Sequence, residues 1–238
     1  MNLQEVTTST LRQESVLAEA RVVLKGVSWA TFKALMADIG EDRACRIAYD
    51  QGMLEIMVPY EQHEELKILI AEFVTAASDE LEIEIRQLGS LTLEREDLTR
   101  AVEPDTCFYI QNESLVRGKK IKLPDVPPPD LVVGSDYTHS SLNKFNIYAS
   151  LGVPELWRYR RQSLQVYQLV EGNYELSEIS LAFPFLPIAE IPGFIEQSKM
   201  MGQRACVRLF RARIREILGS SEGLKDDIKK LFQLSTFC

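Results

Sequence analysis

Residues 127–160 read PPPDLVVGSDYTHSSLNKFNIYASLGVPELWRYR. Three prolines close a loop, and Asp130 opens a run, Leu131 to Val133, that is apolar at every position. A strand covered on both faces has that pattern, whereas a half-exposed strand alternates. Ser140 or Ser141 then offers an N-cap to a helix over 141–151, which carries Lys144 in its first turn. PELWRYRRQSLQVYQL resumes as two strands around a short polar turn at Arg161 and Gln162. Strand, helix and strand in succession predict a mixed α/β domain. The residues at the end of its key strand, Gly134 and Ser135, decide its chemistry.

Upstream, the residues to about 24 read as a polar extension, and Ser28 caps a short helix that stops at Gly40. Ile47 and Tyr49 alternate before Asp50, Gln51 and Gly52, and Leu54, Ile56 and Val58 alternate after them. This is a hairpin of two half-buried strands. Leu66, Leu69, Ile70, Phe73, Val74 and Ala77 form one apolar stripe at helical spacing. LEIEIRQLGSLTLERED predicts a pair of strands punctuated by Gly89, and PDTCFYIQ another strand entered through Pro104. Downstream, IEQSKMMGQRACVRLFRARIREIL predicts one C-terminal helix. The expected organisation is an extension over 1–24, a single core over 25–190 with one central sheet, and a C-terminal helical segment over 191–238.

Composition narrows the function. In 238 residues there are 35 acidic and 27 basic side chains, a net charge of -8. A protein that coats nucleic acid by charge alone needs the opposite balance, so any such contact is local. The expected local face is Arg204, Arg208 and Arg211 on the last helix. Four scattered cysteines without a C-x-x-C pair, and two histidines, provide neither a zinc site nor a disulfide framework. No apolar run is long enough to span a membrane, and the first twenty residues lack the basic start and apolar block of a signal peptide, so a cytoplasmic protein is expected. Trp29 and Trp157 are expected to pack, with Trp157, Tyr159 and Tyr167 as cross-strand partners.

Acids and a lysine that meet the sheet carry the chemical reading. If the strand that opens at Asp105 pairs with the strand at 130–134, Asp105 and the end of that strand converge. Magnesium or manganese takes oxygen ligands and keeps several waters, so a few carboxylates hold it. Lys144, in the first turn of the following helix, is placed to stabilise charge on a phosphate under attack.

EPDTCFYIQN, PPPDLVV and SSLNKFNIYASLGVPELWRY together resemble the Uma-two family of restriction-endonuclease-like proteins in the PD-(D/E)XK nuclease superfamily. The likeness runs from about Val27 to about Pro187. It implies a restriction-endonuclease-like α/β fold and metal-dependent cleavage of DNA. Asp105 would be a metal ligand, Lys144 the catalytic lysine migrated to the helix, and His63 and Glu64 a catalytic pair at the start of the first core helix. Pairing of two copies on duplex DNA follows by analogy. One departure stands out: the family's glutamate after Leu-Val-Val is here Gly134. Losing a metal-bound carboxylate disables this kind of hydrolysis, unless Asp136 or Asp130 lends an oxygen. The alternative is a disabled nuclease fold serving as a binding or interaction module.

Overall fold

In the computed structural model, residues 20–40, 43–58, 61–89, 91–135 and 142–220 are described, with single positions 223, 225, 228 and 230 beyond them. Two sheets are present where the sequence predicts one. The first has strand order β1 (Ala20–Lys25), β3 (Met53–Val58), β2 (Arg46–Asp50), β6 (Arg100–Val102), β5 (Leu93–Arg95), antiparallel throughout. The second runs β11 (Asn173–Ser177), β10 (Ser163–Val170), β9 (Glu155–Arg160), β8 (Leu131–Ser135), β7 (Thr106–Tyr109), β4 (Arg86–Leu88). In it only β8 and β9 are parallel, joined across by helix α4 (Lys144–Leu151). This is a mixed α/β arrangement, as the sequence predicts.

Both faces of β8 are covered, as its unbroken apolar run requires. Leu131 and Val133 join Phe73 and Val74 of α2 (Glu61–Leu81) and Phe210 of α6 (Gln203–Ser220) in the larger core. On the other face, Cys107, Val132 and Leu156 pack with Ile147 and Leu151 of α4 and with Ala48 and Val102 of the first sheet. A smaller cluster seats Phe32 of α1 (Trp29–Ile39) on Tyr49, their rings stacked 4.8 Å apart.

Local turn chemistry holds where it was legible. Gln51 and Gly52 have φ of 45° and 99°, and Arg161 and Gln162 have 49° and 59°, the left-handed pairs that two-residue hairpins need. Elsewhere the structure departs from the expectation. Residues 20–24, assigned to the polar extension, form with Lys25 the strand β1 on the edge of β3. The expected strand pair around Gly89 is two strands in different sheets, β4 on β7 and β5 on β6. The single C-terminal helix is two, α5 (Ile191–Met201) and α6, broken at Gly202 with φ of 86°. A short helix, α3 (Glu113–Val116), and the strands β6 and β11 were not foreseen. Tyr167 pairs with Leu156, while Trp157 turns to the opposite face and packs against Phe183. Among the described residues no helix is long and apolar enough to cross a membrane.

Candidate functional site

Side chains alternate across a strand, so neighbouring strands in register build rows of residues on one face. Cys107 of β7 pairs with Val132 of β8, and Val132 with Leu156 of β9. Two residues along the same face, Gly134 pairs with Arg158. The antiparallel register Thr106 to Val133, continued by one residue, sets Asp105 level with Gly134 on its other side. The first row is buried beneath α4, and the second, Asp105, Gly134 and Arg158, opens into a cleft of about 80 Å³. Lys144, Phe145 and Tyr148 of α4 and Arg21 of β1 also line that cleft. The convergence of Asp105, Gly134 and Lys144 expected from the sequence is therefore present.

Helix α4 begins one turn later than the serines suggested. Asn143 caps it, its side chain accepting from the Asn146 N–H at 3.4 Å, and Lys144 is the first helical residue. From there the Lys144 Nζ lies 3.6 Å from Oε1 of Glu55, whose side chain is 1% exposed. The same carboxylate oxygen accepts from Arg21 at 3.0 Å. A carboxylate buried this deeply has to be paired, and Arg21 and Lys144 beside it are both residues of the cleft. Phe145 carries Arg158 over its ring, 5.5 Å from the centroid. Burial, with the Asp105 charge next, holds the Tyr148 phenol well above its ordinary value, so Tyr148 stays neutral beside the cleft.

Glu103, two residues before Asp105, is buried and committed to the fold. Its oxygens accept from Arg43, from Thr92 at 2.7 Å and from the Ile47 N–H at 3.0 Å. Sequence reasoning passed over Glu55, Arg21, Arg158 and Glu103. Of these only Glu103 carried a signal, its place in the EPD motif.

A family model described as "Uma2: Putative restriction endonuclease" matches residues 29–196. The chain belongs to the Uma2 family. Among solved structures, it is similar to one described as a "putative nuclease belonging to DUF820 from Anabaena variabilis ATCC 29413". The two share 14% identity at a TM-score of 0.47, over 69% of this chain and 92% of that one. No curated protein matches.

This Uma2 chain departs from a divalent-metal site in its donor set. Among the described residues, no three His, Cys, Asp or Glu side chains stand together as metal ligands would. In the cleft, Asp105 faces a glycine, and the next side chain in the row is a guanidinium. Magnesium and manganese take several oxygen ligands, and cations in the cleft oppose them. The described residues do not fit such an ion. The backbone at Gly134 would nevertheless accept a side chain, since a Cβ built there meets no atom within 4 Å.

The other sequence candidates are placed as follows. Asp130 lies at the opposite end of β8, about 13 Å along the strand from Gly134. Its Oδ2 accepts from the N–H groups of Ile110 at 2.6 Å and Asn112 at 3.0 Å, and its Oδ1 from Asn112 Nδ2 at 2.5 Å. It ties down the turn after β7 and is not brought to the cleft. His63 and Glu64 fall in the first turn of α2, but their side chains lie outside the described residues, as does all of Asp136. Arg204 pairs with Glu72, and Arg211 with Asp79 at 3.2 Å and Glu80 at 2.7 Å, so both join α6 to α2, while Arg208 is exposed.

Proposed function

We propose that this chain keeps the scaffold of a metal-dependent DNA endonuclease and engages the DNA backbone at the Asp105 cleft, with hydrolysis disabled at position 134. The observation that carries this reading is the row Asp105, Gly134, Arg158. One acid of the expected pair is present, the second position is open and empty of a side chain, and a fixed cation adjoins it. Asp105 is the inherited ligand position, Lys144 the residue that meets phosphate charge, and His63 and Glu64 belong to the edge of the site. Magnesium or manganese, when held by a full set of acids, supplies the activated water of this chemistry. The present chain then acts as a binding module on DNA, in the cytoplasm and as a pair of copies on duplex.

A second reading, an active magnesium- or manganese-dependent endonuclease, is favoured by Asp105 and Lys144 lining one cleft. One experiment separates the two. Plasmid cleavage and calorimetric titration of magnesium and manganese are run on the chain, on Asp105→Ala, on Gly134→Glu and on Gly134→Glu with Asp105→Ala. The disabled-site reading expects DNA binding indifferent to EDTA in the parent, and metal binding with nicking in Gly134→Glu alone. Nicking by the parent that Asp105→Ala abolishes would establish the second reading. Absence of DNA binding in every version would remove both.

A further inference from the structure

Buried tyrosines ordinarily give the hydroxyl a partner, because a phenol O–H cut off from water costs what any unmade hydrogen bond costs. Other tyrosines of this chain keep that rule. Tyr49 donates to the Val27 carbonyl at 2.8 Å, Tyr109 to that of Pro127 at 3.0 Å, Tyr174 to that of Val153 at 2.6 Å, and Tyr167 to the Gln165 side chain at 3.1 Å. Tyr148 differs. It is only 7% exposed, yet among the described residues its hydroxyl has no hydrogen-bond partner. Nor is that hydroxyl among the described side-chain atoms sealed from solvent without one. Tyr148 lines the Asp105 cleft, so the space its hydroxyl meets is the cleft.

Helix geometry explains the aim. Residues four apart on a helix lie one above the other, and side chains lean toward the helix N-terminus. Tyr148 therefore leans over the turn that carries Lys144, the first residue of α4, and both line the cleft. The ring belongs to the core, in one cluster with Cys107, Val132, Ile147 and Leu156. A side chain fixed by its ring, with its polar end unspent, has little rotamer freedom left to lose when a ligand arrives. The phenol is neutral at pH 7 and donates its O–H. Beside Lys144, the acceptor that suits it is one that also draws a cation. A nonbridging oxygen of a phosphodiester is such an acceptor.

We propose that Tyr148 is a DNA-contacting residue of the cleft, whose hydroxyl donates to a nonbridging oxygen of the phosphodiester that Lys144 meets by charge. This contact deepens the assignment of the cleft to the DNA backbone and rests on it. Lys144 attracts the phosphate, and the directional donor on Tyr148 orients it.

Fluorescence anisotropy of a short labelled duplex, over a range of salt concentrations, tests this on the full chain, together with urea unfolding of the same variants. Tyr148→Phe is expected to weaken binding about tenfold, the worth of a hydrogen bond to a charged group. The slope of log affinity against log salt stays that of the parent, because no charge is lost. Lys144→Ala also weakens binding, and it lowers that slope by about one. Stability separates a contact with ligand from a contact with the fold. Tyr148→Phe removes a hydroxyl without a partner in the chain, so its urea midpoint is at or above the parent's. Tyr174→Phe loses the bond to Val153, falls in midpoint and keeps its affinity for DNA. If Tyr148→Phe binds as the parent does while Lys144→Ala is weakened, the contact is overturned and the DNA reading of the cleft stands. Affinity and midpoint that fall together in Tyr148→Phe would make the hydroxyl a structural group and overturn the contact as well. If the parent does not bind duplex, or binds it without response to Lys144→Ala, the DNA reading fails and the contact fails with it.

Discussion

At one end of β8 the Asp130 carboxylate, 5% exposed, receives three hydrogen bonds from Ile110 and Asn112. At the other end, Gly134 has no side chain, and Asp105 and Arg158 flank it in an open cleft. Both ends looked alike as sequence, an aspartate or its neighbour at the limit of an apolar strand. The difference teaches that an acid's role follows from what donates to it. Asp130 is spent on the fold, whereas Asp105 lines the cleft. Replacing each should therefore separate stability from function.

The largest effect is expected at the closed end. Asp130→Ala leaves two backbone N–H groups and one amide without their acceptor, and each buried orphan costs about 1–3 kcal/mol. A loss of about 3 kcal/mol or more in urea unfolding is expected, against less than about 1 kcal/mol for Asp105→Ala at the open end. Equal losses would erase the distinction between the two ends. Next in size is Glu55→Gln, which leaves Arg21 and Lys144 beside a neutral amide. Breaking a fully buried pair costs about 3–5 kcal/mol. Because Lys144 is 26% exposed and solvent screens it, about 2 kcal/mol is the expected fall. An unchanged melt would show that Glu55 does not organise the cleft.

How much of this was readable depended on how far each contact reaches. Leu131 to Val133 are apolar without alternation because α2 covers one face and α4 the other, and that pattern is local. Asp105, Gly134 and Lys144 were brought together by assuming one strand pairing, which β7 and β8 make. Glu55 was missed because Leu54, Ile56 and Val58 were assigned to the core, which turned Glu55 to water. In the fold Glu55 is buried and Val58 is 47% exposed, because the cleft covers the strand's other face. Arg158 was hidden in the charged run WRYR, whose significance appears only when β9 pairs with Gly134. The arginines of α6 looked like a phosphate face because their acids, Glu72, Asp79 and Glu80, are more than a hundred residues away in sequence.

A smaller effect sharpens the open end. Gly134→Ala adds a methyl group to strand backbone where nothing lies within 4 Å, so it neither clashes nor strains. Stability should change by no more than about 0.5 kcal/mol, and a gain is the expected sign because alanine restricts the unfolded chain. A loss beyond about 1 kcal/mol would mean that position 134 cannot take the glutamate on which the proposed reconstruction depends.

The smallest expected effect sets a third kind of carboxylate against Asp130. Hydrogen bonding from Arg215, aided by Arg211, holds Glu80 below the ordinary glutamate value of 4.5, and Arg213 does the same for Glu190. A depressed value in the folded state means that these pairs contribute fully above pH 4.5 and are lost as the pH falls through the lowered values. Asp130 has the opposite sign. Burial lifts it above 3.8, so the folded chain takes up its proton more readily than the unfolded one, and acid does not weaken it in the same way. Lowering the pH below 4.5 should therefore loosen the α2 and α6 seam before β8. Hydrogen exchange would report this as a few-fold faster exchange of α6 amides relative to those of β8. Uniform acceleration in both elements would mean that the ion pairs contribute nothing of their own and that acid acts on the whole fold at once.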